Sequence, residues 1–116
     1  MRRAWMIGTS PALLLTAVLV ANAQDVPALD VEPVCRGIAQ HSAGAGERGG
    51  PDLSLAQCVT SEHAIRERLV KEWSTFAPSD KANCVGEETS GTLPSYTDLA
   101  SCLEMARAAR KLDAGK

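Results

Sequence analysis

The sequence predicts an all-α fold of four helices, two short and two long, that pack as hairpins and are held by disulfides. In two long segments, apolar residues recur at steps of three and four, which is the spacing of one buried helix face. No segment alternates between apolar and polar residues, so no strand is predicted. The disulfides are predicted from four cysteines in a chain whose start is typical of exported proteins.

Residues 1–23 have the pattern of a signal peptide. Arg2 and Arg3 provide a positive start, residues 11–20 are almost wholly apolar, and a small-x-small motif precedes a cleavage site between Ala23 and Gln24. We therefore expect one helical domain at residues 24–116, with an ordered core at about 31–112. The expected location is the periplasm or the extracellular space.

An uncleaved membrane anchor is the alternative, because residues 4–23 approach the length that spans a bilayer. Polar and helix-breaking residues at 8–11 interrupt that stretch, so cleavage is favoured and no membrane association is expected afterwards. Arg2 and Arg3 also allow a twin-arginine export route, although the sequence lacks the longer polar N-terminal segment that such signals usually have.

The charge balance bears on the class of partner. The chain has 12 Lys and Arg against 14 Asp and Glu, so loss of Arg2 and Arg3 leaves ten against 14 and a net charge of −4. This balance argues against a nucleic-acid partner and against an anionic membrane surface, which both attract clustered basic residues. An unidentified protein partner is the remaining expectation.

The four cysteines are Cys35, Cys58, Cys84 and Cys102, separated by 22, 25 and 17 residues without a C-x-x-C pair. This spacing disfavours a zinc site and favours two disulfides. Antiparallel helices joined by short connections would bring Cys35 level with Cys58, and Cys84 close to Cys102. The crossed pairing of Cys35 with Cys84 and Cys58 with Cys102 stays open.

The four helices are predicted in order along the chain. After a frayed leader at 25–30, the first is expected at about 32–41 and the second from Ser54 to just before Pro78. A third, short helix is expected at about 79–86, and the last begins at Ser95. Ser54 with Gln57, and Ser95 with Asp98, have the spacing of capping boxes. The segments at 42–51 and 87–94 are expected to be exposed connections.

Glu62 is the one candidate for acid or base chemistry, because it lies within the apolar stripe of the second helix. The structural alternative is an ion pair with Arg66, one turn later, extended by Arg36 from the first helix. We favour the ion pair, because structural pairs are common at such positions.

The other reactive residue types have simpler explanations. His41 and His63 are the only histidines, and nothing in the spacing places them together as metal ligands. Three serines fall at predicted helix starts, where their hydroxyls cap backbone amides: Ser54, Ser79 and Ser95.

The aromatic residues of the exported part are Trp73, Phe76 and Tyr96, which we expect to form core packing between the long helices rather than a ligand cage. No phosphate-binding, dinucleotide-binding, zinc-protease or serine-hydrolase motif occurs. We therefore expect no catalytic residue, cofactor or metal.

Over nearly all of the exported part, the chain resembles a group of uncharacterised exported bacterial proteins. The resemblance rests on Cys35-Arg36-Gly37-Ile38-Ala39, Gln57-Cys58, Glu62, Arg66, Leu69, Trp73, Phe76, Asp80, Cys84, Ser95-Tyr96, Leu99 and Cys102-Leu103-Glu104-Met105-Ala106-Arg107. It implies no activity. The spacing of a cysteine in a long helix, an aromatic near its end and a later cysteine is also similar to periplasmic lysozyme-inhibitor-like domains.

The sequence thus predicts a non-catalytic periplasmic binding or interaction protein. An inhibitor of a cell-wall hydrolase is the first alternative, because an acidic surface suits a cationic target. A small enzyme that uses Glu62 is the second alternative.

Overall fold

A computed structural model describes residues 25–45 and 54–116. These residues form α1 (Glu32–Ala45), α2 (Leu55–Glu72), a 3-10 turn (Trp73–Thr75), α3 (Pro78–Ser90) and α4 (Tyr96–Ala114). No residue of the two described ranges is in a strand. The predicted all-α class with four helices is confirmed.

Some predictions concern other parts of the chain. The signal peptide at 1–23, the cleavage site between Ala23 and Gln24, and most of the glycine-rich connection lie outside the described residues. Between residues 25 and 45 and from 54 onward, every helix is too short or too polar to span a bilayer.

Two disulfides close two helical hairpins. Cys35 is bonded to Cys58, with 5.4 Å between their Cα atoms, and ties α1 to α2. Cys84 is bonded to Cys102, with 5.8 Å between their Cα atoms, and ties α3 to α4. The favoured pairing is therefore confirmed, and the crossed pairing is wrong. Cys84 and Cys102 each lie six residues from the facing ends of α3 and α4, as the rise of an antiparallel pair requires. Cys35 lies in the first turn of α1, ten residues before that helix ends.

The two hairpins meet where α2 packs against α4. The core is formed by Leu69 and the aromatic residues that follow it on the α2 side, and by Leu99 and Leu103 on α4. Cys84 belongs to this core, and Cys102 packs against it. The apolar stripes of the two long helices thus face one another, as their period predicts.

Two helices extend further than predicted. α1 continues past His41 to Ala45, and α3 continues through Gly86 to Ser90. A glycine inside a helix costs about 1 kcal/mol relative to alanine but does not by itself end the helix. In α3, the hydroxyls of Thr89 and Ser90 donate to carbonyl oxygens of the preceding turn, which satisfies acceptors there.

α2 ends at Glu72, short of the end predicted just before Pro78. The chain tightens into the 3-10 turn, and Phe76 then adopts an extended conformation, with φ −83° and ψ 144°. Pro78 occupies the first position of α3, where its missing amide hydrogen costs nothing.

The segment before α1 is packed rather than frayed. The Tyr96 hydroxyl donates to the carbonyl oxygen of Pro27 and accepts from the amide of Leu29, both at 2.9 Å. Val26 and Leu29 pack against the core. The leader is therefore fixed by a side chain at the start of α4, far away in the sequence.

The two disulfides should contribute unequally to stability. Loss of either bridge by paired Cys→Ala substitution should lower the free energy of unfolding by about 3 kcal/mol. The pair Cys35→Ala and Cys58→Ala should cost more than Cys84→Ala and Cys102→Ala, because both of its side chains are buried, whereas Cys102 is part-exposed, and because its bridge closes the longer loop. Urea denaturation measures both values. A larger loss for the Cys84–Cys102 pair would contradict this ranking.

Candidate functional site

The carboxylate of Glu62, the candidate acid or base, binds the start of α4. Its side chain is only 6% exposed. Oε2 accepts from the backbone amides of Tyr96 at 2.6 Å and Thr97 at 3.3 Å. Oε1 accepts from the hydroxyls of Ser95 at 3.4 Å and of Thr97. One carboxylate on α2 therefore receives four hydrogen bonds from three consecutive residues.

These contacts complete the start of α4. The first four amides of a helix have no partner within the helix. Here Glu62 accepts two of them, Ser95 Oγ accepts the amide of Asp98 at 3.1 Å, and Glu88 Oε2 accepts the amide of Ser95 at 3.1 Å. The predicted cap by Ser95 is confirmed, but its reciprocal partner is Glu88 rather than Asp98.

The expected ion pair of Glu62 is wrong. Arg66 Nη1 lies 3.5 Å from Glu67 Oε1, and Arg36 pairs with Glu32 on its own helix. Glu62 instead sits against the positive end of the α4 dipole, where a negative charge is favourable. The helix start thus takes the place of the predicted guanidinium.

This bonding determines what the carboxylate can do. An ionised carboxylate offers about four lone-pair positions, and here four donors take them. These four hydrogen bonds fix the position of α2 relative to the start of α4. To accept a proton from a substrate, the Glu62 carboxylate would first have to give up one of them.

A second polar contact joins α3 to α4. Arg110 donates from Nε to Asp80 Oδ2 at 2.6 Å, and from Nη2 to Asp80 Oδ1 at 2.8 Å and to Ser79 Oγ at 2.7 Å. These hydrogen bonds hold the pKa of the Asp80 carboxyl below its ordinary value of 3.8, and they raise the pKa of Arg110. Ser79 therefore accepts from Arg110 and is not the N-cap of α3, which is Ala77.

The predicted aromatic core is confirmed. Trp73 and Phe76 are buried and meet edge to face, with 6.3 Å between ring centroids. Lys81 Nζ lies 5.5 Å from the Trp73 centroid, and the Arg107 guanidinium carbon lies 4.0 Å from that of Phe76. The chain's own cations thus cover these two rings. Among the described residues, the buried Trp73 Nε1 has no hydrogen-bond partner.

The remaining candidates lie apart. His41 and His63 are exposed, on α1 and α2. Over the described ranges, no three His, Cys, Asp or Glu side chains are arranged to hold a metal ion. Ser54 caps α2 by accepting the amide of Gln57 at 3.2 Å, and the Gln57 side chain completes the predicted capping box.

The surface beside α1 forms a shallow cavity of about 470 Å³. It is lined by Asp30, Glu32, Pro33, Arg36, Gly37 and Gln40, four of which have polar side chains. A Cβ at Gly37 would meet no atom of the described ranges within 4 Å. The space left by this glycine is therefore unused by the described part of the chain.

Comparison of the chain with models of protein families, with curated proteins and with solved structures finds no match. The function must therefore be inferred from the side chains of the described residues.

Glu62→Gln should destabilise the fold by about 1–3 kcal/mol. A glutamine can keep one oxygen facing the two backbone amides, but its NH2 group then faces the hydroxyls of Ser95 and Thr97, which lose their acceptor. Glu67→Gln is the matched control, because it removes an exposed carboxylate from the same helix and should change stability by less than about 0.5 kcal/mol. Similar urea midpoints for the two variants would contradict the role of Glu62.

Acid should weaken the contact between α3 and α4. Because the pKa of Asp80 is lower in the folded state, the pair stabilises the fold above an ordinary pKa of 3.8 and loses that contribution as the pH falls through the lowered value. The unfolding free energy of the wild type should therefore fall more steeply below pH 4 than that of Asp80→Asn. Parallel curves in a pH series of urea denaturations would exclude this linkage.

Proposed function

We propose that the protein is an exported, non-catalytic binding protein that recognises a protein partner in the periplasm or outside the cell. Two disulfides support an oxidising compartment, because such bonds persist there and are rare in the cytosol. The acidic balance of the exported part supports a protein partner over nucleic acid.

The observation that carries the proposal is the α1 surface around Gly37. A glycine inside a helix costs stability, and here no atom of residues 25–45 or 54–116 occupies the space that a side chain would fill. A bare backbone at such a position lets a partner approach closely. Around it, the Glu32–Arg36 pair and the Gln40 amide supply donors and acceptors for a polar peptide segment.

The role of Glu62 supports binding over catalysis. Its four acceptor positions serve the start of α4, so the catalytic alternative would need this carboxylate to leave its structural partners. The small enzyme is therefore the less supported proposal.

Gly37→Trp should abolish capture of the partner, because the new side chain fills the α1 cavity. Gly86→Trp is the matched control, because Gly86 also lies inside a helix and a Cβ there likewise meets no described atom within 4 Å. Both variants should melt within a few degrees of the wild type. The measurement is the amount of cross-linked partner recovered from the exporting cell, with each variant compared with the wild type.

Equal recovery by Gly37→Trp and the wild type would exclude the α1 surface as the binding site. No specific partner under any condition would count against the binding function itself.

An inhibitor of a cell-wall hydrolase is the second candidate, and one surface feature favours it. The loop between α3 and α4 exposes 55% of Leu93, and the exposed carboxylates of Glu87 and Asp98 flank this loop in the sequence. An apolar tip with acidic neighbours suits the cleft of a cationic hydrolase. Undiminished cell-wall lysis by lysozyme in the presence of the pure protein would remove this candidate.

A further inference from the structure

α4 carries apolar side chains on two opposite faces. Leu99 and Leu103 point into the core and are fully buried. Met105 and Leu112 are 68% and 72% exposed, and the exposed Ala108 lies between them. At about 100° per residue, these three positions fall within about 60° of one another and roughly opposite the core face. We call Met105, Ala108 and Leu112 the outer stripe.

The first half of α4 is acidic, with Asp98 and Glu104, and the second half is mostly basic, with Arg107, Arg110 and Lys111. The one acidic residue of the second half, Asp113, pairs with Lys116 at 4.0 Å. Arg107 and Arg110 bind groups of their own chain, on Thr75 and Asp80. Lys111 is exposed and forms no salt bridge with any described residue.

Glu104 and Lys111 lie seven residues apart, on the same flank of the outer stripe. Glu104 has one partner within the chain, Arg68, at 3.2 Å, and both side chains of that pair are about half exposed. Such a surface pair contributes little to stability, so Glu104 remains free to accept a second cation.

From this charge pattern, we propose that the outer stripe is an interface between two copies of this chain, with α4 packed antiparallel to α4. An antiparallel arrangement places the acidic half of each helix against the basic half of the other, whereas a parallel one opposes like charges. A two-fold axis near Ala108 sets Glu104 of each copy against Lys111 of the other. The same axis places Met105 beside Leu112 of the second copy.

The packing at the centre suits this arrangement. Ala108 is small, so the two helix axes can approach closely at the crossing point, and the larger side chains fill the space on either side. Two large side chains per copy bury less surface than a stable dimer needs, so the dimer is weak and depends on concentration. The α1 cavity lies on the other hairpin, so the interface does not depend on the proposed function.

Sedimentation equilibrium of the oxidised, exported chain tests the proposal, at concentrations from about 10 µM to about 1 mM. The average mass should rise toward that of a dimer. Met105→Ser with Leu112→Ser should weaken association at least tenfold. Val70→Ser is the matched control, because Val70 is a 49% exposed apolar residue of α2 and its loss should leave association unchanged.

Charge exchange tests the antiparallel orientation. Glu104→Lys alone and Lys111→Glu alone should each weaken association, and the double variant should restore it, because the exchanged charges again face each other across the two-fold axis. Thermal unfolding of each variant checks that the fold is intact. A mass that stays monomeric at every concentration, association that survives the serine variant, or a double variant that does not recover would each overturn the proposal.

Discussion

The structure depends on the hydrogen bonds that connect Glu62 to the start of α4. Each hairpin is closed covalently by its own disulfide, but the contact between hairpins is the packing of α2 on α4. Within that contact, one buried carboxylate satisfies two backbone amides and two hydroxyls. Because these donors are at the first residues of α4, Glu62 fixes where that helix begins, and thereby which of its residues enter the core. Tyr96, in the first turn, then holds the leader in place.

The features that could be predicted from the sequence are those set by local geometry. Helical period determines which faces are apolar, and the rise per residue makes Cys84 level with Cys102 across a hairpin. The partner of Glu62 could not be predicted, because Arg66 is near in sequence whereas Tyr96 is 34 residues away. Whether Glu62 pairs with Arg66 or with the start of α4 depends on how α4 packs on α2, which the sequence pattern does not give. The contacts that anchor residues 25–30 also come from α4, so they could not be predicted either.

The helix ends show a related limit. Gly86 was expected to end α3, but the helix continues to Ser90, and Glu88 in this extension accepts the Ser95 amide. The last turn of α3 is thus stabilised by a hydrogen bond to the start of the next helix. Helix propensities of single residues do not include such a contact. Ser79 likewise has the composition of a cap, yet its hydroxyl accepts from Arg110. In both places, a tertiary contact overrode a local preference.

The two proposed surfaces lie on different hairpins. The α1 cavity belongs to the first hairpin and the outer stripe to the second. Pairing through α4 would therefore leave both α1 surfaces of a dimer free, and a partner with two binding segments would be held by both at once. The Glu62 contact matters to this arrangement, since it joins the hairpins. Hydrogen exchange at the amides of Tyr96 and Thr97 tests that contact most directly, because first-turn amides without an acceptor exchange rapidly. The account predicts that both amides are protected in the wild type and lose protection in Glu62→Ala, which removes the acceptor oxygen they share, while the middle of α2 stays protected. Rapid exchange of both amides in the wild type would contradict it.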